Sequence, residues 1–135
     1  IAKSLINRGF KKIGILGLSY KGNLRVSILS PVIPFVKELV KNNINVQIYD
    51  PFFSDKEINK ILGIETFKFP VDIQKFDCLV VTVDHDKFKI KQNILKKYIK
   101  KCKFILDNNG IWKKYKLNNS SLTYHVAGDK NWLKF

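Results

Sequence analysis

"GILGLSYKGN", residues 14–23, carries an apolar strand into glycines and then a lysine, the way many α/β proteins build a phosphate-binding turn. The stretches around it decide what kind of sheet that strand joins. "KIGILG" (12–17) completes a first strand, and "SPVIPFVKELVKNN" (30–43) reads as a helix with Ser30 as N-cap and Pro31 at the first helical position. Val32, Phe35, Val36, Leu39 and Val40 give that helix one apolar face, with Lys37, Glu38 and Lys41 opposite. "INVQIYDP" (44–51) is a second strand stopped by Pro51, followed by a short helix over 54–62 with Ser54 as cap and Gly63 as stop. "IETFKF" (64–69) reads as a minor strand and "VDIQKF" (71–76) as a short helical turn. "CLVVTV" (78–83) is a continuous apolar run, expected to be a central strand buried on both faces. "IKQNILKKYIKK" (90–101) is amphipathic, "KFILD" (103–107) is a fourth strand, and "LTYHVA" (122–127) is an edge strand.

Strands alternating with helices, without tight hairpin signals, predict an α/β domain with a mainly parallel sheet flanked by helices on both faces. In such a sheet ligands bind beyond the carboxyl ends of the strands, where strand order reverses. That rule gathers the loop from Ser19 to Ser30, Asp50, the "VDHD" at 83–86 and the "DNNG" at 107–110 on one rim.

The 135 residues suit one hydrophobic core. Residues 1–10, "IAKSLINRGF", place Ile1, Leu5 and Ile6 at helical spacing and end on Arg8-Gly9. They read as the tail of a preceding helix or linker, with the domain proper over 11–135. The chain contains no Met and begins at Ile1, so a piece of a longer polypeptide is expected. Apolar residues make up 45% of the chain and charged residues 27%, and no run approaches the roughly 18 uninterrupted apolar residues of a membrane span. Cys78 and Cys102 lie in apolar stretches without metal-ligand spacing; buried, unpaired thiols, a cytoplasmic location and no metal are expected.

The net charge of +14 invites comparison with nucleic-acid-binding proteins. It is almost wholly lysine, with Arg8 and Arg25 the only arginines, and the lysines are scattered. Arginine is the preferred bidentate reader of guanine and phosphate, so a solvated lysine surface is expected in place of a nucleic-acid groove.

A dinucleotide fingerprint, G-x-G-x-x-G, would open a helix directly from close glycines. The chain has Gly14, Gly17 and Gly22, and about a dozen loop residues before the Ser30-Pro31 helix start. Asp50 stands over thirty residues beyond Gly17, against the usual ~20 for the ribose-binding acid. An NAD site built by this loop alone is not expected.

A longer pattern fits better. "LGLSYKGN", then "SP", then "VQIYDP", then "VTVDHDKF", in that order and spacing, resembles the C-terminal UDP-binding domain of the UDP-glucose/GDP-mannose dehydrogenase family. The resemblance covers residues 12 to about 112 and implies a three-layer Rossmann-like domain that embraces the nucleotide end of a nucleotide sugar. It implies that Tyr20 packs on the ligand and that Lys21 meets its phosphate or sugar-ring oxygens, with Gly22 and Asn23 in the same substrate-binding loop. A lysine is a compact point charge suited to a diphosphate. Taken without the resemblance, Lys21 reads as an exposed loop lysine and Tyr20 as rim packing. Asp50-Pro51 reads equally as a strand terminator with a cap, and His85 as a hydrogen-bonded loop residue.

The family pattern carries an acidic pair and an arginine between the lysine and Ser-Pro. Here Arg25 and Val26 stand at the acidic positions and Ile28 at the arginine position, which makes Arg25 the candidate for cofactor contact. Similarly, Asp107-Asn108-Asn109 replaces Asp-x-Arg. The resemblance implies a nucleotide-sugar 6-dehydrogenase that uses NAD, oxidises a sugar C6 alcohol to a uronate and dimerises at full length. Its G-x-G-x-x-G domain and cysteine nucleophile belong to a preceding portion, so no catalytic residue is expected in this chain and the chain alone is expected to be inactive. The alternative is a non-catalytic nucleotide-binding or interaction module that has lost the enzyme's charged loop.

Overall fold

The computed structural model describes residues 2–28 and 30–127. Five strands, β1 (Lys12–Leu16), β2 (Asn45–Tyr49), β3 (Cys78–Val81), β4 (Phe104–Asp107) and β5 (Thr123–Val126), form one sheet in the order β2-β1-β3-β4-β5. All pairings are parallel, with Ile13 opposite Val46 on one side and Cys78 on the other. β3 is central and buried throughout, as its apolar run predicts, and β5 pairs only with β4, as an edge strand should.

Alternating side chains divide the core into two layers. Ile13 and Ile15 of β1, Val46 and Ile48 of β2 and Val80 of β3 face α1 (Ala2–Asn7), α2 (Val32–Lys41) and α3 (Asp55–Leu62). Leu16, Leu79, Val81 and Ile105 face the other way, toward α4 (Gln92–Tyr98) and Phe76, Phe88 and Trp112. The sheet thus has helices on both faces, as expected. α1 contributes Leu5, fully buried, and packs against α2. Ile1 and the expected domain end at 128–135 lie outside the described residues.

Two elements differ from the sequence reading. Residues 64–69 make a single bridge, Thr66 to Ile48, not a strand. Phe67 and Phe69 instead gather around the Tyr49 ring, at centroid distances of 6.2 and 5.7 Å, so ring packing takes the place of a ladder. α2 begins at Val32, and Pro31 occupies the N-cap position. Ser30 still caps in effect, since its hydroxyl accepts from the Val32 N–H at 3.2 Å. Val40, at the edge of the apolar stripe, is exposed. α3 carries the expected Ser54 cap, in a full capping box with Glu57, and stops at left-handed Gly63.

Strand order puts the chain reversal between β1 and β3, since β2 lies on one side of β1 and β3 to β5 on the other. The crevice at the carboxyl ends of β1 and β3 is therefore where a ligand would be received.

Candidate functional site

Four chain segments meet at that crevice. Gly17, with φ of 116°, turns the chain out of β1. A Cβ there would lie 2.5 Å from Thr82 Oγ1 and 2.6 Å from Val83 Cγ2, so only glycine allows the approach. Thr82, just past β3, donates its hydroxyl to the carbonyls of Gly17 at 2.6 Å and Leu16 at 3.1 Å. The two strand ends are stitched together by this residue.

Beyond Gly17 the loop is held by a buried carboxylate. Asp50, at the end of β2 and only 1% exposed, accepts on Oδ2 from the N–H groups of Leu18 (2.8 Å) and Ser19 (2.9 Å) and from the Ser19 hydroxyl (2.8 Å). Oδ1 accepts from the N–H of Phe52 at 2.9 Å. His85, fully buried after β3, completes the set with Nε2 at 2.9 Å from Oδ2.

His85 joins the far side of the loop to the same centre. Its Nδ1 lies 2.8 Å from the N–H of Asn23 and must accept, so the proton sits on Nε2 and is given to Asp50. The ring is thereby neutral and fixed in one tautomer. Asn23, in the left-handed region at φ 57°, returns a bond by accepting from the Asp86 N–H on its Oδ1 at 2.9 Å. Burial works to raise the Asp50 carboxyl, but bonds from His85, Phe52 and Ser19 outweigh it and hold the group below the usual carboxylate range.

Between the fastened residues Ser19 and Asn23 stand Tyr20, Lys21 and Gly22. Tyr20 is 57% exposed and Lys21 is exposed. Gly22 lies against the Asp84 carboxylate, which the first side-chain carbon of any other residue would strike. The arrangement presents an aromatic face and an ammonium group from a rigid backbone. Tyr20, Lys21, Gly22 and Asn23, the residues anticipated from sequence, thus share one loop at the switch point. Asn23 uses its side-chain oxygen within the protein, while the Tyr20 and Lys21 side chains project outward.

Arg25 lies elsewhere. Its guanidinium pairs with Glu57 in the first turn of α3 and sits 5.1 Å from the centre of the Phe53 ring. Leu24, Val26 and Ile28 in the same segment are exposed, Ile28 at 74%.

On the β4 side, Asp107 is fully buried and accepts from the Gly110 N–H (3.0 Å), the Trp112 N–H (3.0 Å) and the Tyr124 hydroxyl (2.5 Å). Burial pushes its carboxyl up, against the pull of these bonds, and pushes the Tyr124 hydroxyl up as well. This cluster closes the 108–112 turn.

The link between Asp50 and His85 escaped the sequence reading, which took each singly. Its signal was positional: both follow strands that flank β1, so both must end beside Gly17.

Asp50, at the end of β2, is enclosed by donors from Leu18, Ser19, Phe52 and His85, so its carboxylate is engaged within the protein. Cys78 and Cys102 are free and buried, and burial pushes both thiols up, Cys102 to about 12, so neither has the character of a nucleophile. Among the described residues no helix is long and apolar enough to cross a membrane.

The model of the UDP-glucose/GDP-mannose dehydrogenase family, UDP binding domain, matches residues 14–114. The UDP-N-acetyl-D-mannosamine dehydrogenase of Methanococcus aeolicus is 28% identical, over 96% of this chain and 31% of its own length. That of Methanococcus maripaludis is 30% identical, over 90% of this chain and 28% of its own. The chain therefore spans under a third of the curated relatives it matches. The solved UDP-D-ManNAc dehydrogenase of Pyrococcus horikoshii superposes with a TM-score of 0.63 at 24% identity, over 94% of this chain and 28% of that one, a likeness of fold. The matched span takes in the Gly17 turn, the Tyr20-Lys21 loop, Asp50 and His85 together, and the chain belongs to the UDP-glucose/GDP-mannose dehydrogenase family as its UDP-binding domain.

Proposed function

We propose that this chain is the nucleotide-sugar-binding domain of an NAD-dependent nucleotide-sugar 6-dehydrogenase, with a UDP-sugar as ligand. The observation that carries the reading is the double fastening of the loop, to Asp50 at Ser19 and to His85 at Asn23, with Tyr20 and Lys21 left exposed between. A loop ordered before the ligand arrives loses little entropy on binding. Lys21 supplies a charge for the diphosphate and Tyr20 a face for packing.

In the complete enzyme a C6 alcohol would lose two hydrides to two NAD molecules, water supplying the second carboxylate oxygen. The chemistry and the NAD site fall to the rest of the polypeptide, since both cysteines are buried with raised thiols and the Gly14-Gly17-Gly22 spacing departs from a dinucleotide turn. On its own the chain binds and does not catalyse. A dimer at full length and a reducing, cytoplasmic setting for the two free thiols complete the reading.

One observation favours a second reading, an interaction module. Val26 and Ile28 are exposed apolar residues where the family pattern has charges, and Leu24 beside them is exposed as well. Calorimetric titration of UDP and UDP-N-acetylglucosamine into the wild type and Lys21→Ala separates the two. The enzyme-domain reading predicts binding by the wild type and a loss of about tenfold or more in the variant. No heat from the wild type supports the module.

A further inference from the structure

The charge of the chain is unevenly placed. Residues 1–86 hold twelve basic side chains against nine acids, whereas residues 87–127 hold eleven lysines and a single acid, Asp107. Asp107 is fully buried, and all eleven lysines are exposed. Of these lysines only Lys89 finds a carboxylate among the described residues, that of Asp86. A one-sided field of this kind draws in anions and repels itself.

Within this region a cavity of about 400 Å³ lies between α4 and the 116–122 segment. Lys96 in the last turn of α4, Lys100 just past its end and Lys116 on the facing wall line it, and no acid does. The cavity beside α3, by contrast, mixes Lys56 and Lys60 with Asp55 and Glu65. The facing wall is fixed by its own bonds. Asn119 Oδ1 accepts from the Ser121 N–H (2.8 Å), the Ser121 hydroxyl (3.0 Å) and the Leu122 N–H (2.8 Å), and the Asn118 amide is taken up by the backbone of Tyr124. Both amide oxygens are thus engaged within the protein, while the three ammonium groups are not matched by a carboxylate. Ile99, Leu117 and Leu122 supply an apolar floor.

Its place separates it from the Tyr20-Lys21 crevice. Ile99 and Lys100 precede β4 and Leu122 precedes β5, so the cavity lies near the amino ends of those strands, whereas Tyr20 and Lys21 follow the carboxyl end of β1. In an all-parallel sheet these are opposite ends.

We propose that this cavity is an anion site for the terminal phosphate of a small phosphomonoester. A phosphoryl group carries roughly two negative charges on three acceptor oxygens, which three lysine ammonium groups meet as point charges. A carboxylate brings a single charge. The apolar floor suits the organic body of the ligand, and the volume falls within the range of small-molecule sites. A UDP-sugar offers no terminal phosphate, because each of its phosphates is substituted on both sides, so it is not the ligand of this cavity. The inference stands apart from the nucleotide-sugar reading.

The test is a 15N NMR titration with phenyl phosphate and, separately, inorganic phosphate at constant ionic strength. It uses the wild type, Lys100→Gln, Lys116→Gln and Lys113→Gln, beside thermal unfolding of each protein without ligand. Lys113 carries the same charge in the same region but does not line the cavity. The expected result is saturable shifts at residues 96–100 and 116–122, with phenyl phosphate bound about tenfold more tightly than inorganic phosphate. Lys100→Gln and Lys116→Gln should each lose about tenfold in affinity, and Lys113→Gln less than about twofold. The unliganded midpoints of the two lining variants should not fall below that of the wild type, because removing one of several like charges relieves repulsion. Equal losses in all three variants would reduce the effect to general charge and overturn the site. Equal affinity for the two anions, or shifts that do not saturate, would overturn it as well.

Discussion

Residues 17–23 and 24–28 belong to the same loop and are held in opposite ways. In the first half Leu18 and Ser19 give their N–H groups to Asp50, Asn23 gives its own to His85, and Gly17 and Gly22 are pressed against Thr82 and Asp84. In the second half Leu24, Val26 and Ile28 face outward, and the segment is held by bonds from the Tyr20 N–H to the Val26 carbonyl and from the Ser30 N–H to the Ser27 carbonyl, and by Arg25 on Glu57 and the Phe53 ring. The first half is held in one shape by buried bonds and close backbone contacts. The second leaves its apolar side chains at the surface, so little stability depends on them.

Substitutions should expose that asymmetry. Asp50→Ala has the largest expected effect. It strands donors from Leu18, Ser19, Phe52 and His85 in a buried place, at a cost of about 3–5 kcal/mol. Urea unfolding should show that loss, and UDP binding should disappear with it. His85→Ala frees only the Asn23 side of the loop and opens space beside the Phe52 and Phe88 rings. About 2–4 kcal/mol is expected from the lost bonds and the cavity, with weakened UDP binding in whatever protein remains folded.

The pH dependence sharpens the point. Asp50 has a lowered folded pKa, so its contribution is complete above the unfolded value of about 3.9 and is lost as pH falls through the lower folded value. The stability gap between the wild type and Asp50→Asn should therefore be constant near neutrality and narrow in acid. A gap that widens in acid would contradict the assignment of Asp50 as the charged centre. Arg25→Ala and Ile28→Ser have the smallest expected effect, within about 0.5 kcal/mol. The Arg25–Glu57 pair is partly exposed and Ile28 is largely so. A larger loss at either position would break the contrast between the halves.

The parallel sheet was legible from sequence because its strands are short continuous apolar runs and its helices carry one-sided apolar stripes, as in 32–39. Residues 64–69 misled because alternating aromatics suit a strand and a ring cluster equally, and only the Tyr49 ring decides between them. The Tyr20-Lys21 loop was legible through its ordered companions, "SP", "YDP" and "TVDHDKF". What holds it was not, because the Asp50–His85 bond joins residues 35 positions apart and no local pattern records that.

The central claim is that the rim around Ser19–Asn23 is a preformed nucleotide-sugar site. Its most direct test is a two-dimensional 15N NMR titration of the chain with UDP-N-acetylglucosamine. The account predicts shifts concentrated at residues 18–23 and 84–86, with Lys12, Asp77 and Lys103 at the opposite end of the sheet unmoved. Shifts confined to the lysine-lined surface around Lys96, Lys100 and Lys116, or no saturable shifts at all, would contradict it.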